Sequence, residues 1–183
     1  VSNETSADDV AFVSAIFAAL SEDTVFDLRY SFGVGVSNGA GIVNRIGKET
    51  NLLLGIAPLI SQQTTYLGTI VPPRTLSVFQ VNGSEDDLVP IEGGNGVAGT
   101  VFMSAKDSAE NWASFFDCQP IPASDQLIWG AYPVFKFSFE GCQGDVIVQY
   151  FTVEGAQHTI NFGPNFDVHH EAWSFLSRGL RDQ

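Results

Sequence analysis

The sequence predicts an α/β domain, a mostly parallel sheet with helices on both faces. Three observations predict it. The elements read in the order helix, strand, helix, strand, strand, helix, hairpin, helix. Two runs, 52–59 and 75–81, are almost continuously apolar, as strands covered on both faces are. The intervening stretches instead repeat their apolar residues every three to four positions, the period of a helix with one buried face.

Each element has its own signal. In 7–20 the apolar residues Val10, Val13, Ile16, Phe17 and Leu20 give a 3.6-residue period, with Ser6 or an adjacent Asp as cap and acids in the first turn. Residues 27–36 form a short apolar run ending in glycines, which reads as a strand. A helix follows over 38–50, with Ile42, Val43 and Ile46 on one face. After the run 52–59, Pro72-Pro73 marks a loop, and strand 75–81 is closed by Asn82-Gly83. A glycine-rich loop covers 93–99. Residues 101–117 read as a helix with Phe102, Trp112, Phe115 and Phe116 apolar. Val134, Phe135, Phe137 and Phe139 lead to Gly141, and 145–153 returns as the second strand of a pair. A loop holding His158 precedes a last helix over 168–180. There is no internal repeat and no low-complexity tract.

Composition excludes several classes. The 183 residues carry 8 Lys+Arg against 21 Asp+Glu, a formal charge of -13. So few scattered cations cannot build the basic face that duplex DNA or RNA requires. No apolar run approaches the ~20 residues of a membrane-spanning helix. With 44% hydrophobic residues and aromatics throughout, disorder is not expected. The length fits one domain, 1–183. The acids form no runs, which favours a solvated negative surface over a cation site, and no Ca²⁺-loop motif is present.

Cys118 and Cys142 lie 24 apart with no C-x-x-C, so a zinc ribbon is unsupported. Two readings remain at this point: buried thiols, or one disulfide in an oxidising compartment. Sequons at Asn3 and Asn82 are compatible with secretion. The chain begins at Val1 without a signal peptide, as expected of a processed end or a truncation.

The stretch with chemistry is Val34-Gly35-Val36-Ser37-Asn38-Gly39-Ala40, a G-x-S-x-G set between a buried strand and a helix. That is the context of a nucleophile elbow. The strand must turn into the helix within one residue, and glycines at 35 and 39 are expected because a Cβ at either would clash at the strained serine. The Asn38 N–H, at the new helix's start, can stabilise an oxyanion. An elbow further requires an acid and then a histidine, each after a strand. Asp86 follows strand 75–81, with Glu85 and Asp87 as neighbours that the pattern does not separate from it. His158 follows strand 145–153. The other histidines, His169 and His170, start the last helix.

These residues resemble the polyhydroxybutyrate depolymerase and feruloyl esterase-like branch of the α/β-hydrolases, over essentially the whole chain. Asp8-Asp9-Val10-Ala11-Phe12 is similar to that family's D-D-V-x-F helix start, and Ser37-Asn38-Gly39-Ala40 to its elbow. Asn82-Gly83-Ser84-Glu85-Asp86 through Val89-Pro90 resembles H-G-x-x-D-x-x-V-P, which implies Asp86 as the triad acid. Glu154-Gly155-Ala156-Gln157-His158-Thr159 resembles E-G-G-G-H-T. Trp112 with Cys118, and Gly141-Cys142, match a tryptophan-to-cysteine helix end and a G-C pair, implying a Cys118–Cys142 disulfide. The chain departs from the family at Asn82, where a histidine stands, and at Ile160-Asn161, where Trp-Pro stands.

The resemblance implies an α/β-hydrolase fold of which this chain is the C-terminal two-thirds, its N-terminal strands and oxyanion loop apparently missing. Strand 27–36 would then be an edge, paired in the whole assembly with the missing N-terminal segment or another subunit. The implied activity is a serine carboxylic-ester hydrolase working through Ser37, Asp86, His158 and an acyl-enzyme, on a small-molecule or polymeric ester, outside the cell or in an oxidising lumen. That chemistry needs no metal or organic cofactor. The alternative is a catalytically silent domain of this fold used for binding or structure.

Overall fold

The computed structural model describes residues 8–180. Ser6 and the Asn3 sequon lie outside them. Helix α1 (Asp9–Ser21) starts at Asp8, whose carboxylate accepts the Ala11 N–H. It buries no residue fully: Val10, Val13 and Phe17 pack on the core, while Phe12 and Ile16 are exposed. The helical period holds, but Ile16 falls on its outer side.

Residues 28–30 form a 3-10 turn capped by Asp27, so the expected strand 27–36 is only its second half, β1 (Phe32–Val36). Then come α2 (Asn38–Glu49), β2 (Gly55–Leu59), the single turn α3 (Thr65–Gly68) and β3 (Ser77–Gly83). The glycine-rich loop contains β4 (Gly94–Asn95), which pairs antiparallel with β5 (Val101–Phe102). Phe102 therefore belongs to this ribbon and not to the next helix, α4 (Ala105–Phe115), which Ser104 caps by accepting the Asp107 N–H. Next are β6 (Ala123–Trp129), β7 (Tyr132–Phe139), β8 (Val148–Val153) and α5 (Val168–Leu176).

The order across the sheet is β1-β2-β3-β8-β7-β6. The first four strands are parallel and the last two join antiparallel, so this is a mixed α/β sheet that is mostly parallel. Strand β6 has no counterpart in the sequence reading. Most of it is exposed, with Asp125 and Gln126 in its middle, so it shows neither alternation nor an apolar run. It folds back on β7 through Gly130 (φ 56), whose left-handed backbone suits the two-residue turn.

Helices cover both faces. Alternation along β3 sends Val78 to one side, with Ile46 of α2 and Trp112 of α4, and sends Phe79 and Val81 to the other, with Phe175 of α5. Trp129 and Phe151 pack as tilted rings in the α5-side core, their centres 4.8 Å apart. A disulfide joins Cys118, just past α4, to Cys142 between β7 and β8. Among the described residues no helix is long and apolar enough to cross a membrane.

Candidate active site

Parallel strands expose all their carboxyl ends along one edge of the sheet, so residues just past β1, β3 and β8 can meet. Ser37 follows β1 directly and caps α2, with φ 55 and ψ -114. A non-glycine residue rarely holds such a backbone unless its surroundings enforce it. Here the Ser37 N–H donates to Leu59 O, and the Ala40 and Gly41 N–H groups donate to Ser37 O. The hydroxyl is not spent on capping the helix. It lies 2.7 Å from His158 Nε2 instead.

The glycines flanking the serine differ in their reasons. A Cβ on Gly35 would lie 2.1 Å from Gly39 O, so the strand and the helix start touch backbone to backbone. A Cβ on Gly39 would meet nothing within 4 Å. The clash expected at both positions exists only at Gly35, and against Gly39 rather than Ser37.

Asp86 is buried, whereas Glu85 and Asp87 are exposed. Its Oδ1 accepts the N–H groups of Leu88 and Val89 at 3.0 and 2.9 Å, which aims Oδ2 at His158 Nδ1, 2.7 Å away. A carboxylate can only accept, so Nδ1 donates and Nε2 is left as the acceptor for the Ser37 hydroxyl. The two loops are held together by their own backbone. Glu85 N–H donates to Ala156 O at 2.9 Å, and Gly155 N–H to Ser84 Oγ at 2.8 Å. Gly83 permits this crossing, since a Cβ there would sit 2.3 Å from Ala156 O. His169 and His170 are exposed on α5, and the His169 ring pairs with Asp167.

Asn38 opens α2 and is exposed beside the serine, and its N–H belongs to the first-turn donors that have no acceptor within the helix. The far end of α2 is anchored by Lys48. Its ammonium is buried 4.2 Å from the Trp112 and Phe115 ring centres and donates to Asn111 Oδ1 at 2.8 Å. Burial pulls its pKa down to about 7.

Beside Ser37 opens a cleft of about 820 Å³, walled by the start of α2, by 64–66 and by the ribbon 97–102. Ser61, Val89 and Phe102 form its buried floor, and Tyr66, Val97 and Val101 its exposed rim. Sequence reasoning missed this wall; the available signal was Ser61-Gln62-Gln63, a polar cluster directly after an apolar strand.

Asn82, read as a sequon, is buried and cannot accept a glycan. It sits in a chain of buried amides: Gln80 Nε2 donates to Asn82 Oδ1, and Asn82 Nδ2 to Gln62 Oε1. Gln62 Nε2 in turn donates to Pro90 O and Met103 O, tying the loop that carries Asp86 to the base of the ribbon.

No family model matches the chain, and no curated protein matches it significantly.

Proposed function

We propose that this chain is a serine carboxylic-ester hydrolase with an α/β-hydrolase architecture. One observation carries the reading: the unbroken relay from Ser37 Oγ through the His158 ring to Asp86 Oδ2, with both contacts at 2.7 Å. The strained Ser37 backbone, in a strand-to-helix turn, supports it.

In this reading Ser37 attacks the ester carbonyl while His158 Nε2 takes the hydroxyl proton. Asp86 holds the imidazole tautomer and stabilises the imidazolium. The Asn38 N–H supports the developing oxyanion. His158 then protonates the departing alcohol, and a water activated by the same nitrogen cleaves the acyl-enzyme. No step calls for a metal or organic cofactor. Turnover of p-nitrophenyl butyrate, with a burst of p-nitrophenol equal to the enzyme and its loss in Ser37→Ala, tests the proposal.

A second reading, a silent domain, draws on the position of β1. Among the described residues it is the sheet's edge strand, and Asn38 beside the serine is exposed. Ser31 O and the Ser37 N–H bond toward β2, so the backbone groups of Phe32, Val34 and Val36 face outward. The edge carries no charge or proline, and Val34 is exposed. We therefore assign β1, the strand part (32–36) of the expected strand 27–36, a pairing with backbone from an N-terminal segment or another subunit, which also brings a second oxyanion donor. Chain 1–183 alone is then expected to self-associate or lie idle, and a soluble, active monomer refutes this pairing. The disulfide favours an extracellular or otherwise oxidising location.

A further inference from the structure

The chain past β2 turns through Ile60, a β-branched residue at φ 52 that is almost wholly buried. Strain of this kind persists only where the surroundings enforce it, and it clusters at binding sites. Here the Ile60 N–H is drawn to Val81 O on β3 at 2.8 Å, and the turn delivers Ser61 to the cleft whose lining it shares with Ser37.

Ser61 is 3% exposed, and its Oγ reaches a single partner, the Gln62 carbonyl at 3.5 Å, the outer limit of a hydrogen bond. Its neighbours are firmly bonded. Gln62 makes three side-chain bonds of 2.7 to 2.9 Å, and the Thr64 hydroxyl accepts the Leu67 N–H at 3.2 Å. Ser61 is thus a buried hydroxyl in the cleft lining whose one bond within the protein is long, leaving it capacity for a shorter partner. Among the described residues the cleft lining contains no carboxylate, ammonium or guanidinium, and the chain carries -13 overall. A carboxylate on a ligand would be desolvated there without a counter-ion and repelled from outside.

We infer that the cleft takes uncharged esters with a neutral polar atom, an ether, hydroxyl or carbonyl oxygen, on the arm that reaches the floor. The Ser61 hydroxyl recognises that atom. The inference rests on the triad reading, and the experiment separates the two.

p-Nitrophenyl esters of pentanoic acid, of its isostere with one methylene replaced by an ether oxygen, and of a carboxylate-ended analogue are compared. The same two alterations are made on the alcohol arm of an aliphatic ester. The wild type is expected to prefer the ether over the alkyl ester on one arm by about tenfold in kcat/KM, expressed in KM, the value of one neutral hydrogen bond. The carboxylate-ended ester is expected to fall at least as far below at low salt. In Ser61→Ala and the near-isosteric Ser61→Cys the ratio of kcat/KM for the ether over the alkyl ester should fall to about one, whatever the absolute rates, with fluorophosphonate labelling of Ser37 still present. Absence of an ether preference in the wild type, its survival in both variants, or equal use of the carboxylate-ended ester overturns the inference with the triad intact. Loss of all phosphonate labelling in the wild type defeats the triad reading itself, and the inference with it.

Discussion

Replacing Gly35 by alanine tests how tightly the elbow is built. The new Cβ would stand 2.1 Å from Gly39 O, 2.3 Å from Gly39 C and 2.7 Å from Ala40 N. Carbon atoms at rest keep about 3.5 Å, so the first turn of α2 or the end of β1 must retreat by more than about 1 Å. Those are the segments that set Ser37 Oγ at 2.7 Å from His158 Nε2 and place Asn38 beside it. A displacement of that size costs on the order of 10²-fold in rate. Overpacking of this kind destabilises by about 1–3 kcal/mol. Gly39→Ala is the control, because its Cβ has open space and alanine suits a helix better than glycine. The assay is kcat/KM on p-nitrophenyl butyrate with thermal melting alongside. The expected pattern is a folded Gly35→Ala protein slowed about a hundredfold, and a Gly39→Ala protein that loses less than tenfold. A folded Gly35→Ala within threefold of wild type would refute the reasoning.

Asp86→Asn should preserve the fold but favour the wrong His158 tautomer, lowering kcat by about 10⁴; a loss under tenfold would remove Asp86 from the relay. Lys48 has a folded pKa of about 7 against an ordinary 10.5, so between those values the unfolded chain holds a proton the folded one lacks. Stability from this group therefore rises with pH across 7 to 10.5, by at most about 1.4 kcal/mol per pH unit, and is flat below 7. Denaturant melts of Lys48→Met should lack that rise relative to wild type, and parallel pH profiles would contradict the burial argument. Replacing both Cys118 and Cys142 by alanine should lower stability by about 3 kcal/mol, and an unchanged unfolding midpoint would show that the bridge constrains nothing.

The fold was legible where one rule dominated. The continuously apolar runs behind β2 and β3 reflect burial on both faces, and nothing else explains five buried residues in a row at Gly55–Leu59. The edges were not legible. Three residues of the expected strand 27–36, Leu28–Tyr30, form a 3-10 turn, because Asp27 satisfies the Arg29 N–H and pairs with its guanidinium. β6 is hidden because a mostly exposed strand needs no apolar pattern. At the site, Ser37 and His158 were readable from their places after strands, but Asp86 was separated from Glu85 and Asp87 only by resemblance. The structure adds burial and the two N–H groups that aim its carboxylate. The strained turn at Ile60 and the wall 97–102 were not read, since a cleft made from four distant segments leaves only the polar cluster Ser61-Gln62-Gln63 after an apolar strand as a local mark.

The most direct measurement is reaction with a fluorophosphonate, followed by intact mass and peptide mapping. The account predicts one adduct per chain, on Ser37, absent from Ser37→Ala and formed at least a hundredfold more slowly in His158→Ala. An unlabelled wild type, or an adduct on any other residue, would contradict a Ser37 nucleophile activated by His158.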